Sequence, residues 1–128
     1  MTARSNIIIA GLGSCVLTFA ASAAFAQQCS MGPKCTAISA RVEAYVNRVQ
    51  AGTPTGSIHN AAMSAFCINE VGADASNACA AELTKMGRPD CAEQARAQAR
   101  EYLNVAMQAR KAASQTASTQ NWRPQCGW

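Results

Sequence analysis

The chain has 128 residues, of which 49% are hydrophobic, and a formal net charge of +4. This length suits one small domain. The charge is too small to indicate a nucleic-acid or membrane partner by itself, and the sequence contains no internal repeat and no convincing strand pattern.

Residues 1–26 are predicted to be a secretory signal peptide. Arg4 gives the start a positive charge, the following run up to Phe25 is almost wholly apolar or small, and Ala24-Phe25-Ala26 matches the small-x-small pattern that signal peptidase cleaves. No basic cluster follows the apolar run, so we expect no transmembrane span in the mature chain. One alternative stays open, because Leu12-Gly13-Ser14-Cys15 faintly resembles a lipobox and would make Cys15 a lipidation site.

Cleavage would leave residues 27–128 with six cysteines and a net charge of +3, since Arg4 and Cys15 are removed. An even number of cysteines in a short exported chain predicts a disulfide framework. The chain has no C-x-x-C pair and a single histidine, so a thiolate zinc site is not expected. Large apolar side chains are few, and disulfides are the usual reinforcement of such a small core.

The apolar periodicity predicts an all-α fold, a small disulfide-stabilised bundle of about four helices, over residues 27–113. Helix 1 is predicted at residues 36–51, with Thr36 as its N-cap and Gly52 as its end. Its apolar residues recur at helical spacing. They are Ile38, Val42, Tyr45 and Val49.

Two short helices, folded back on each other, are predicted between Ser57 and Gly87. Ser57 caps helix 2, which is apolar on most sides over residues 58–69 and is therefore expected at the centre of the bundle. Gly72-Ala73-Asp74 is interpreted as the turn, with Asp74 capping helix 3. Helix 3 is predicted to run to about Met86.

Helix 4 is predicted from Cys91 to about Ala113, with Asp90 and Glu93 as a capping box. Its inward stripe is mostly alanine, which lets the helix approach its neighbour closely. Residues 114–128 are predicted to be a flexible linker and a C-terminal tail with both tryptophans and one cysteine. The face away from the stripe carries Glu93, Arg96, Arg100, Asn104, Met107 and Lys111.

Six cysteines allow fifteen pairings, and the predicted hairpin favours one bond. Cys67 and Cys79 lie about five residues before and after the predicted turn, so on antiparallel helices they would stand opposite each other. We therefore predict a Cys67–Cys79 disulfide. Two pairings of the other four cysteines stay open. They are Cys29–Cys91 with Cys35–Cys126, and Cys29–Cys35 with Cys91–Cys126.

The Cys67-x11-Cys79 spacing is similar to the hairpin disulfide of saposin-like lipid-binding domains, which are also small, helical and exported. The resemblance covers this hairpin alone. The spacings of the other four cysteines depart from that family, and the alanine stripes lack bulky lipid-facing residues. The sequence therefore identifies no family.

No catalytic constellation is apparent, so an enzyme is not expected, and no cofactor is predicted. His59 and Met63, four residues apart on helix 2, are weak candidates for a soft metal such as copper. The simpler interpretation is a partly buried histidine beside a methionine that fills space.

Four residues are candidates for interaction with a partner: Trp122, Trp128, Arg96 and Arg100. Tryptophan is favoured at recognition surfaces, although both rings could instead cover the bundle. The sequence therefore predicts a small exported bacterial protein, periplasmic or secreted, that acts as a binding module. We expect a component or inhibitor of an envelope or secretion system, with an envelope or secreted protein and no nucleic acid as partner. The alternative is a periplasmic carrier of copper or of a lipid-like ligand.

Overall fold

The computed structural model describes residues 29–116 and 126–128. Within these ranges the chain forms helices and no strand, which confirms the expected all-α class. The predicted signal peptide, Cys15 and Trp122 lie outside the described residues. The described residues form three helices and not the predicted four: α1 is Pro33–Gly52, α2 is Ile58–Lys85 and α3 is Pro89–Gln115.

Helix α1 begins three residues before its predicted start. Pro33 occupies the first helical position, where its missing N–H costs nothing. The cap comes from α2, since the Glu82 carboxylate accepts hydrogen bonds from the backbone N–H groups of Lys34, at 3.0 Å, and Cys35, at 2.8 Å. Thr36 lies inside the helix and its hydroxyl donates to the Gly32 carbonyl, so it is not the N-cap.

The two short helices predicted between Ser57 and Gly87 are one helix of 28 residues, α2. Ser57 is its N-cap as predicted, and the Ser57 hydroxyl oxygen accepts from the Asn60 N–H at 3.2 Å. Gly72 lies in the middle of α2 and not in a turn. A Cβ atom built on Gly72 would come within 2.7 Å of the Tyr102 ring of α3. This glycine therefore lets α2 and α3 approach closely.

The real hairpin turn is at Gly87, between α2 and α3. Gly87 has a φ of +75°. The Arg88 N–H bonds the Leu83 carbonyl and the Gly87 N–H bonds the Thr84 carbonyl, at 2.9 and 3.1 Å. This pattern is a Schellman motif, which satisfies the last carbonyls of α2 and reverses the chain into α3.

Replacing Gly87 by alanine is expected to lower the free energy of unfolding by about 1 kcal/mol, because an L-residue is disfavoured at this φ. No atom lies within 4 Å of the Cβ that would be added, so the cost comes from the backbone alone. Gly52, at the end of α1, is the matched control, since its φ is not positive and its Cβ position is also open. Urea denaturation should show no loss for Gly52→Ala, and an equal loss in both variants would contradict this account.

Helix α3 starts at Pro89, two residues earlier than predicted. Arg88 is therefore the N-cap, and Asp90 falls inside the first turn without a side-chain capping bond. The Glu93 carboxylate contacts Arg96 and Arg100 and does not turn back to the helix start. The predicted capping box of Asp90 and Glu93 is wrong for this reason.

The core lies where α1 and α3 cover α2. One cluster joins all three helices around the buried Tyr45 and Tyr102, and a second lies near the α2–α3 turn around Leu83. The inward stripe predicted for α3 is largely buried. Its fully buried members are Cys91, Ala95, Ala99, Tyr102, Ala106 and Ala113. None of the helices in the described residues is both long and apolar enough to cross a bilayer.

The six cysteines that the structure describes form three disulfides, and the predicted Cys67–Cys79 bond is not among them. Both cysteines lie on one continuous helix, where twelve residues at about 1.5 Å each separate them by roughly 18 Å. A disulfide needs Cα atoms within about 7 Å. Of the two pairings left open, Cys29–Cys91 from the first is present, but its companion bond and both bonds of the second are not. The bonds are Cys29–Cys91, Cys35–Cys79 and Cys67–Cys126.

Candidate docking face

Two of the predicted interaction residues, Arg96 and Arg100, lie on an exposed face of α3 and share one carboxylate. The Arg96 Nε lies 3.1 Å from one Glu93 oxygen, and an Arg100 Nη lies 3.1 Å from the other. These hydrogen bonds, from Arg100 first and then Arg96, hold the pKa of Glu93 below its usual value. All three side chains are exposed, so the pairs add little stability. Both guanidinium groups therefore lie beside the same carboxylate.

Two large apolar side chains continue the same face. Leu103 is 41% exposed and Met107, one turn further along, is 69% exposed. Residues three and four apart are neighbours on a helix surface, so these positions extend the arginine strip. We define the docking face by the exposed residues at this spacing. They are Glu93, Arg96, Arg100, Leu103, Met107 and Arg110.

Arg110 ends the docking face and connects it to α2. Its guanidinium carbon lies 5.8 Å from the centroid of the Phe66 ring, a cation–π distance. The two apolar side chains of the face therefore stand between Arg100 on one side and Arg110 on the other. Such a surface can bury apolar groups of a partner while its arginines contact carboxylates at the rim.

Trp128 lies outside the helices and contacts α1, whereas the predicted arginines are on α3. Its ring is edge-on to Tyr45 of α1, with centroids 6.2 Å apart, and the Arg41 guanidinium lies 4.6 Å from the Trp128 centroid. Trp128 keeps 39% of its surface exposed. The Cys67–Cys126 bond holds this end of the tail to α2. Trp128 thus packs over α1, and the structure does not bring it to Arg96 and Arg100.

Tyr45, beneath Trp128, is a core residue and not part of the docking face. It is 2% exposed, and the Arg48 guanidinium lies 5.2 Å from its ring centroid. Burial raises the pKa of the Tyr45 phenol, and the nearby positive charge of Arg48 partly opposes this. The phenol is therefore neutral at physiological pH and supplies no charge to the surface.

His59 has a structural contact that accounts for its position. Its Nδ1 lies 2.9 Å from the carbonyl oxygen of Ala113, near the end of α3. A carbonyl only accepts, so Nδ1 carries the proton and donates to one of the last carbonyls of that helix. Met63, one turn along α2, is half-buried. Within residues 29–116 and 126–128 no group of three or more His, Cys, Asp or Glu side chains could hold a metal ion.

Sequence reasoning found the arginines of the docking face but not its apolar centre. The sequence places Met107 on the same predicted face as the arginines, but that predicted face does not include Leu103. The signal was available in their spacing of four residues beside Arg100. No protein-family model, curated protein or solved structure matches this chain.

Proposed function

We propose that this protein is an exported binding module whose docking face on α3 contacts another protein of the cell envelope or of a secretion system. The observation that carries this proposal is the exposure of Leu103 and Met107 one turn apart on a helix. Contiguous exposed apolar side chains with a charged rim are typical of protein interaction sites. The three disulfides support a periplasmic or extracellular location, where such bonds persist.

The docking face is preorganised because α3 is fixed at its start and at its centre. Cys91, at the third position of α3, is bonded to Cys29. At the centre, Tyr102 packs against the bare backbone of Gly72. A partner that binds this face therefore does not have to order the helix that carries it, which favours affinity.

The charge of the docking face favours an acidic partner over a second copy of the chain. Three arginines and one glutamate give the face a net charge of +2. In an antiparallel pair of α3 helices centred on Leu103 and Met107, Arg100 would stand opposite Arg110 of the other copy. A parallel pair would place each arginine opposite itself. Both arrangements place like charges opposite each other, which is unfavourable.

A glutamate at position 107 is expected to weaken partner binding at least tenfold, because it removes the most exposed apolar contact and adds a charge at the centre of the face. The partner is first identified by incorporating a photo-crosslinking amino acid at position 107 in the producing cell. The affinity of the purified pair is then measured by calorimetry for the wild type and for Met107→Glu. The fold should be unaffected, since Met107 is 69% exposed.

The matched controls are a crosslinker and a glutamate at Asn47, an exposed position on α1. Position 47 should yield no discrete crosslinked product, and Asn47→Glu should bind as the wild type does. Equal affinity of Met107→Glu and the wild type for the crosslinked partner would contradict the proposed docking face.

The alternative of a metal carrier gains no support from His59, whose Nδ1 contacts the Ala113 carbonyl. The alternative of a lipid-like ligand concerns a different place, a groove between α1 and α2.

A further inference from the structure

A groove with a volume of about 410 Å³ opens between α1 and the second half of α2. This volume falls within the range of small-molecule sites. Its apolar lining comes from Ile38 on one side and from alanines and a methionine on the other. Lys34 and Lys85 add one positive charge each. The apolar residues of α2 and the residue after it are Ala78, Ala81 and Met86.

The two walls of the groove are joined before any ligand binds. Cys35 follows Lys34 in α1 and Cys79 follows Ala78 in α2, and the Cys35–Cys79 disulfide holds their Cα atoms 4.8 Å apart. The Glu82 carboxylate adds a second link through its hydrogen bonds to the start of α1. The site therefore has a fixed width, which is the property of a preformed pocket.

The charges that line the groove favour an anion with a single negative charge. Neither Lys34 nor Lys85 forms an ion pair with a carboxylate within the described residues. Glu82 also lines the groove, but its carboxylate is engaged with two backbone amides of α1. Two lysines and one glutamate give a net charge of +1.

We propose that the groove binds an amphiphilic monocarboxylate, a carboxylate that carries an alkyl chain. The alkyl chain lies over Ala78 and Ala81, where small side chains leave room, and the carboxylate is held between Lys34 and Lys85. The apolar lining removes the chain from water, and the net charge of +1 selects an anion over a cation of the same length. This site is independent of the docking face, because its residues belong to α1, α2 and the turn that follows α2.

The test is an NMR titration of the oxidised protein with sodium octanoate and with octylammonium chloride. Octanoate should cause saturable shifts of the methyl signals of Ile38, Ala78 and Ala81, and octylammonium should bind at least tenfold more weakly. The double variant Lys34→Glu/Lys85→Glu should weaken octanoate binding at least tenfold. Lys111→Glu, on α3, is the charge control and should leave the octanoate affinity unchanged.

A second variant tests the apolar half of the site without changing charge. Ala81 is exposed on α2, so Ala81→Phe should leave the fold intact and fill the groove. It should weaken octanoate binding at least fivefold. Three results would each overturn the proposal: no saturable shift with octanoate, equal binding of octylammonium, or wild-type affinity in Ala81→Phe. Met107→Glu should bind octanoate as the wild type does, so the groove and the docking face can be tested independently of each other.

Discussion

Replacing Cys35 and Cys79 together by alanine is expected to lower the free energy of unfolding by about 4 kcal/mol. The bond closes a loop with a sequence separation of 44 residues. The chain-entropy relation assigns about that stabilisation to a loop of this length. Domains are stable by only about 5–15 kcal/mol, so the variant should lose a large share of its stability. Urea denaturation monitored by circular dichroism gives the value.

The two single variants, Cys35→Ala and Cys79→Ala, test whether these two cysteines are bonded to each other. If Cys35 is bonded to Cys79, either single replacement already breaks the bond, and the double variant should be no less stable than the two singles. If the two cysteines belonged to different disulfides, their losses would add. Additive losses would therefore contradict the Cys35–Cys79 bond, independently of the size of each effect.

Replacing Gly72 by alanine is expected to destabilise the protein by about 1–3 kcal/mol, which is the usual range for overpacking a core. Alanine favours a helix over glycine by about 1 kcal/mol, so the local preference alone would make this substitution stabilising. The sign should reverse because the added Cβ would lie 2.7 Å from the Tyr102 ring. Thermal and urea unfolding of Gly72→Ala measure the effect.

A double-mutant cycle with Tyr102→Leu identifies the cause of that loss. Removing the ring makes room for the new methyl group, so Gly72→Ala should cost less in the Tyr102→Leu background than in the wild type. A turn glycine would behave differently, because its cost arises from the backbone and does not depend on Tyr102. The same loss in both backgrounds would contradict close packing at Gly72.

Local signals in the sequence were enough to predict α1, the Ser57 cap and the buried stripe of α3. Each depends on residues within a few positions of one another. The end of a helix near Met86 was also predicted correctly, since a glycine before Arg88-Pro89 fits a C-terminal cap. The all-α class followed from these elements alone.

Gly72 could not be interpreted from its neighbours. A glycine followed by Ala73-Asp74 fits a turn, and it equally fits a helix that packs closely against another. Tyr102, thirty residues later, decides between the two. Because a turn was predicted at Gly72, the Cys67–Cys79 bond that was derived from that turn was also wrong. Glu82 shows the same limit, because it caps the start of a helix that lies almost fifty residues before it.

The candidate sites were predictable to different degrees. Arg96 and Arg100 were expected on an exposed face and lie there, but their shared pairing with Glu93 is visible only in the structure. The groove was not predicted, because it requires α1 beside the second half of α2. The Cys35–Cys79 bond holds that arrangement. The predicted hairpin instead paired Cys79 with Cys67, which left Cys79 unable to bond Cys35.

A peptide map of the unreduced protein tests most directly the architecture on which both surfaces depend. Cleavage after glutamate separates Cys67 from Cys79 at Glu70, and trypsin separates Cys29 from Cys35 at Lys34. Mass spectrometry should find the peptide of Cys35 joined to that of Cys79, with Cys67 joined to Cys126. A peptide of Cys67 joined to that of Cys79 would contradict the continuous α2 and, with it, the docking face and the groove.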